Sequence, residues 1–145
     1  MSRAKSSGFL TLAFGMALMS VCASVSATQC SLQTLTGAWG FMSSNSAEKK
    51  HGLQGDYTFI MRARLRPDGT LTGTYTLNRW GYTYRAWWST TGTYTVSKNC
   101  GVTLFWRDAG GFRYSARGFA TLDGKSLSAT GQADGYAFSL TGARM

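Results

Sequence analysis

Beyond residue 27 the chain alternates. Between 57 and 66 the positions Tyr57, Phe59, Met61, Ala63 and Leu65 are separated by Thr58, Arg62, Arg64 and Arg66, with Ile60 the apolar exception. Leu71, Gly73, Tyr75 and Leu77 then alternate with Thr70, Thr72, Thr74 and Thr76. Tyr94 and Val96 oppose Thr93 and Thr95. Phe112, Tyr114 and Ala116 oppose Arg113, Ser115 and Arg117, and Tyr136, Phe138 and Leu140 oppose Ala137, Ser139 and Thr141. A period of two sends successive side chains to opposite faces of a strand, so each segment has one covered and one wet face. That is the signature of an antiparallel meander, not of a doubly covered parallel sheet.

Turn chemistry interrupts this pattern at short, regular spacing, as in sandwiches and barrels. Strands are predicted over 34–42, 57–66, 70–78, 82–88, 91–97, 102–107, 112–121, 126–132 and 136–143, nine in all. Arg66-Pro67-Asp68-Gly69 is a β-turn with proline at its preferred second position. Asp108-Ala109-Gly110-Gly111 turns the chain again, and Asp123-Gly124 and Asp134-Gly135 are hairpin signals. Residues 43–54, containing Glu48, Lys49, Lys50 and His51, read as a solvated loop. Thr-Gly recurs at 36–37, 72–73, 91–92, 130–131 and 141–142, where glycine inside a strand suits barrel curvature. Leu-Thr-Gly-Ala occurs in the first strand (35–38) and in the last (140–143), and these two are expected to pair and close a ring. The expected fold is all-β, an antiparallel up-and-down barrel of about eight to nine short strands, whose closure hides the edges of the sheet.

The first 27 residues behave differently. Arg3 and Lys5 precede an apolar run from Gly8 to about Cys22, and Val25-Ser26-Ala27 is a small-x-small cleavage site. In that order the three regions read as a secretory signal peptide, and the run is too short for a membrane span of roughly 20 residues. The expected organisation is a signal peptide over 1–27 and a single barrel domain over 28–145, exported to the periplasm or beyond the cell, with no stable membrane insertion. Removing Arg3 and Lys5 from 15 Lys+Arg, against six Asp+Glu, lowers the net charge from +9 to +7. Cys22 leaves with the leader. Cys30 and Cys100 remain, and two cysteines in an exported domain most simply form one bridge.

Little in the mature chain can do chemistry. Asp68, Asp108, Asp123 and Asp134 sit in turns, where Asp is a structural choice. His51 is the one histidine, and Cys30 and Cys100 are too far apart in sequence for a metal-ligand spacing. No spaced carboxylate pair, nucleophilic triad or phosphate loop stands out, so neither a catalytic set, a metal site nor a cofactor is expected.

Two faces carry the functional expectations. The inward set would be Tyr57, Phe59, Tyr75, Tyr82, Tyr84, Trp88, Tyr94, Trp106, Phe112, Tyr114, Tyr136 and Phe138. Such a set either fills the barrel as an aromatic core or lines a cavity for one small amphipathic ligand, and its many hydroxyls all need partners. The outward set is basic: Arg62, Arg64 and Arg66 on one strand, Arg113 and Arg117 on another. These stripes are either simply solvated or a surface for acidic polysaccharide or lipopolysaccharide. Nucleic acid is not expected as a partner of an exported chain without a recognisable module. A third reading, a secreted interaction or inhibitor protein, would use the 43–54 loop.

Several segments resemble the avidin family of biotin-binding barrels. Leu35-Thr36-Gly37-Ala38-Trp39 is similar to that family's first strand, and Asp68-Gly69-Thr70-Leu71-Thr72-Gly73-Thr74-Tyr75 to its turn into the third. Thr91-Gly92-Thr93-Tyr94, Gly101-Val102-Thr103-Leu104-Phe105-Trp106-Arg107 and Tyr114-Ser115-Ala116 follow in the family's order. The resemblance covers about half of the mature chain. It implies an avidin/lipocalin-like barrel in which Tyr75 and Ser115 touch the ligand's polar groups and Trp106 is a wall of the pocket. The chain departs from the pattern at Phe41, Leu77, Arg117 and Ala133, where the family's polar or tryptophan contacts would fall; Asn45 is the substitute for the first. Together with Trp88 and Tyr114, these give the expected ligand set Tyr75, Trp88, Trp106, Tyr114, Ser115 and Asn45. Gly92–Cys100 also resembles exported bacterial proteins with a Gly-Thr-Tyr-Thr-Val…Cys hairpin.

Overall fold

The computed structural model describes residues 29–44, 57–79, 82–133 and 136–145. The signal peptide over 1–27, Asn45 and nearly all of the 43–54 loop lie outside the described residues. After a short helix, α1 (Leu32–Leu35), come β1 (Gly37–Ser44), β2 (Tyr57–Leu65), β3 (Thr70–Arg79), β4 (Tyr82–Val96), β5 (Gly101–Asp108), β6 (Arg113–Ala120), β7 (Ser126–Ala133) and β8 (Tyr136–Arg144). The eight strands form one closed antiparallel barrel in chain order. β1 closes on β8, with Phe41 opposite Gly142 and Ser44 opposite Ser139, so the first and last strands do pair.

Several boundaries differ from expectation. Ser43 and Ser44, expected in the solvated loop, continue β1, and Ser43 is buried. The chain does not enter the sheet at residue 34 but first makes one helical turn, in which the Ser31 N–H donates to the Thr34 hydroxyl at 3.0 Å. The two segments expected at 82–88 and 91–97 are one 15-residue strand, β4, which gives eight strands and not nine. Its continuity is masked in sequence because Thr90, polar but 1% exposed, faces inward and donates its hydroxyl to the Arg107 carbonyl at 3.0 Å. Phe112, expected inside, is 45% exposed, because it belongs to the turn before β6.

The Thr-Gly repeats mark where strands crowd. A Cβ on Gly92 would collide with the Phe105 carbonyl oxygen of β5, and one on Gly73 with the Arg62 carbonyl oxygen of β2. Only glycine permits that approach, which bends the sheet around its core.

One end of the barrel is shut. Leu35 and Trp39 are fully buried there, and the Trp39 indole N–H donates to the Leu35 carbonyl at 2.7 Å. The Tyr94 hydroxyl donates to the Arg66 carbonyl at 2.7 Å, tying β4 to the β2–β3 turn. The Arg144 guanidinium hydrogen-bonds the Thr36 carbonyl, so the last strand holds down the segment that enters the first. A disulfide joins Cys30 to Cys100, with a Cα–Cα distance of 5.0 Å, and fixes the segment before α1 to the β4–β5 turn. With this end packed and pinned, the opposite end is where polar groups meet the aromatic core.

Candidate ligand site

The opposite end of the interior is built by inward positions of β2, β3, β5, β6 and β8. The inward parity of β5 runs Val102, Leu104, Trp106 and then Asp108, each buried. Asp108 is therefore not only the turn residue expected from its place before Ala109-Gly110-Gly111. Its Oδ1 accepts the Phe112 N–H at 3.0 Å and holds the turn, while Oδ2 reaches into the barrel. There Oδ2 accepts the Tyr75 hydroxyl at 2.5 Å and the Tyr114 hydroxyl at 3.2 Å. A carboxylate only 4% exposed is thus met by one backbone and two phenolic donors, which is how buried charge is tolerated. Burial, with Tyr75 and Asp108 adding to it, pushes the Tyr114 phenol well above its ordinary range, so it stays protonated and donates.

Aromatic rings enclose this polar group. Trp106 and Tyr114 stand opposite each other across β5 and β6 and stack with centroids 5.1 Å apart and an interplanar angle of 3°. Phe59 meets that stack edge-on, 6.2 Å from each ring, and Phe138 lies 5.5 Å from Phe59 and 5.9 Å from Trp106. Such offset and edge-on pairs are each worth about 0.5–1.5 kcal/mol beyond burial. Trp88 pairs with Tyr75 in the β3–β4 register and packs, half-buried, against the core. Close by, the buried Ser43 hydroxyl accepts the Phe59 N–H at 2.9 Å.

Of the expected ligand set, Tyr75, Trp88, Trp106 and Tyr114 share this end of the interior. Ser115 does not. Strand parity puts it on the outer face, opposite the exposed Phe105, where it lines a surface groove of about 830 Å³. The side chains of Tyr57, Tyr82, Tyr84 and Tyr136 lie outside the described residues. Asp108 is the site residue that sequence reasoning misses, and the unbroken alternation from Val102 is the signal for it.

The arginines are where the alternation puts them. Arg62 and Arg64 project from β2, Arg66 from the turn after it, and Arg113 and Arg117 from β6, all exposed. Arg107 of β5 joins them and stands directly opposite Arg113. Among the described residues the other carboxylates, Asp68 and Asp123, sit in turns at the shut end, so no described outer strand face carries an acid. Among the described residues no group of His, Cys, Asp and Glu could hold a metal ion, and no helix is long and apolar enough to cross a membrane.

No protein-family model and no curated protein matches this chain. Solved structures do. A de novo designed fluorescence-activating β-barrel superposes with a TM-score of 0.54 at 14% identity, covering 79% of this chain and 96% of its own. A redesigned β-barrel, mFAP1, bound to DFHBI, gives 0.55 at 15% identity, covering 78% and 97%. At such identities the likeness concerns the fold alone: this chain shares the closed eight-strand barrel.

Proposed function

We propose that this chain is an exported binding protein that holds one small amphipathic ligand at the aromatic end of its barrel and performs no chemistry on it. The observation that carries this reading is the Trp106–Tyr114 stack set beside the Tyr75–Asp108–Tyr114 hydrogen-bond group. Apolar walls with a few converging polar atoms are what small-molecule sites are made of. Eight strands are also the number at which a barrel interior is either filled by side chains or has room for one small ligand. The designed neighbours support the capacity of this fold, since one of them is bound to DFHBI. The Cys30–Cys100 bridge supports an oxidising, exported setting.

Tryptophan fluorescence tests the reading. The chain is titrated with biotin and then with a panel of aromatic and heteroaromatic metabolites. A saturable change that is lost in Trp106→Phe is the expected result. A broad panel without any saturable response would sink the proposal.

A second reading is favoured by one specific observation, the juxtaposition of Arg107 and Arg113 across β5 and β6. Like charges directly opposite are unfavourable, and a polyanion such as lipopolysaccharide or acidic polysaccharide would relieve them. Retention on heparin that falls steeply with salt, and falls further in Arg62→Gln, Arg64→Gln, Arg66→Gln, would support it. Retention indifferent to both would remove it.

A further inference from the structure

We infer that the outer face of β5 and β6 binds an acidic oligosaccharide, a chain whose carboxylates alternate with uncharged sugar rings, and that Arg117 receives a carboxylate between the rings of Phe105 and Phe119. This rests on the second reading given above, that the outer face takes up polyanions, and adds where the chain lies and what kind of polyanion it is.

The placement follows from two surface grooves that share Arg117. One, of about 830 Å³, is lined by Phe105, Ser115, Thr130 and Gln132 among others. The second, of about 340 Å³, lies toward the shut end and is lined by Thr95, Thr103 and Phe119 among others. Each groove therefore holds one phenylalanine at an outward position, 48% exposed for Phe105 and 66% for Phe119. Thr103 and Thr130 stand directly opposite Arg117 on the two neighbouring strands. Phe105 stands opposite Ser115, so it is diagonal to Arg117, about 7–8 Å away. Phe119, two residues beyond Arg117 on the same face, lies about 7 Å further along β6. The three side chains thus line up along the strands and not around the curved girth of the barrel. Arg113, on the same face of β6 about 13 Å before Arg117, supplies a second cation, and Phe105 is diagonal to both.

Each group meets a different part of one ligand. A guanidinium pairs bidentately with a carboxylate. An exposed phenyl ring offers a flat apolar face, and the C–H side of a sugar ring offers another. The hydroxyls of Ser115, Thr103 and Thr130 and the Gln132 amide donate and accept, as sugar hydroxyls do. An acidic peptide brings the charge without the flat rings, and a neutral sugar brings the rings without the charge. An anionic lipid layer calls for a continuous apolar patch, whereas here a cation and hydroxyls separate the two phenylalanines.

Calorimetric titration of the oxidised full chain decides the matter with three probes: a hyaluronan hexasaccharide, whose uronates alternate with uncharged sugars, hexaglutamate and maltohexaose. The hyaluronan fragment is expected to bind about tenfold more tightly than either of the others, although hexaglutamate carries more charge. Phe105→Ala, which leaves every charge in place, and Arg117→Gln should each weaken its binding about tenfold. Met42→Ser, at an exposed apolar residue of β1 outside both grooves, should leave it unchanged. All three side chains are exposed, so each variant keeps the barrel. Hexaglutamate binding as tightly as hyaluronan would overturn the inference and leave the polyanion reading standing. So would hyaluronan binding that survives Phe105→Ala and Arg117→Gln but is lost in the Arg62→Gln, Arg64→Gln, Arg66→Gln chain. Binding of neither acidic probe would overturn the inference together with the polyanion reading.

Discussion

Tyr75 and Asp108, 33 positions apart in sequence, meet inside the barrel through a 2.5 Å hydrogen bond between a phenol and a buried carboxylate. Tyr114 reaches the same oxygen at 3.2 Å from β6, its ring edge-on to that of Tyr75. Hydrogen bonds to charged groups are worth about 1.5–3 kcal/mol, and the shorter bond is the stronger. Tyr75→Phe should therefore destabilise the chain by about 2 kcal/mol in urea unfolding, and Tyr114→Phe by less. Equal losses would mean that Oδ2 is shared evenly between the two phenols.

The same group gives the barrel an alkaline limit. The Tyr114 phenol is raised above its ordinary value of 10.0, first by burial and then by Tyr75 and Asp108. Above pH 10 the unfolded chain has released a proton that the folded chain retains, so stability falls as pH rises. Below pH 10 this contribution is fully present. Unfolding midpoints measured from pH 8 to 11 should decline beyond 10 in the wild type, and less so in Tyr114→Phe. Parallel curves would show that Tyr114 titrates alike in both states.

The barrel is legible because the period of two is nearly unbroken on the outward faces, and the β1–β8 closure because one tetrapeptide recurs at both ends. What escapes are residues with two duties. Asp108 caps its own turn and also faces the interior, and only the first duty leaves a mark in local sequence. Thr90, polar yet buried, breaks β4 into two apparent strands, because its hydroxyl finds a carbonyl that no sequence pattern announces. Resemblance draws Ser115 inward against its own parity, and the parity is right. A buried hydrogen bond depends on two distant strands meeting in register, so it is legible only once the register is known.

Gly92 can be tested directly. An alanine Cβ would strike the Phe105 carbonyl and the Trp106 Cα of the neighbouring strand, neither of which can move without opening the ladder. Gly92→Ala should cost about 1–3 kcal/mol or prevent folding. At Gly40 the nearest atoms are the flexible Met145 side chain, at 3.7 and 3.8 Å. Gly40→Ala should be neutral or stabilising by up to about 1 kcal/mol, through the unfolded chain. Chemical denaturation of both variants separates close approach from mere glycine content.

The bridge spans a sequence separation of 70, and both cysteines are buried. Closing a loop of that length stabilises by about 4 kcal/mol in the chain-entropy model, and commonly less in practice. Cys30→Ser with Cys100→Ser should lower unfolding free energy by about 2–4 kcal/mol, and reductant should do the same to the wild type only. Because the bridge pins the shut end, Trp106 fluorescence in the folded state should change little. A large folded-state change would couple the two ends of the barrel.

Arg107 and Arg113 offer the last test, because stability and binding should move in opposite directions there. They are a directly opposed cross-strand pair on the outer face, with Arg117 further along β6 on the same side. Turning one of them into an acid replaces repulsion with attraction across the ladder, worth about 0.2–1 kcal/mol. Arg113→Glu should thus be slightly more stable than the wild type at low salt, with the gain shrinking as salt screens the pair. If the outer face binds polyanions, the same variant should leave a heparin column earlier. A charge placed against folding is then one kept for a partner. If Arg113→Glu gains stability and loses no retention, the outer arginines are solvated side chains.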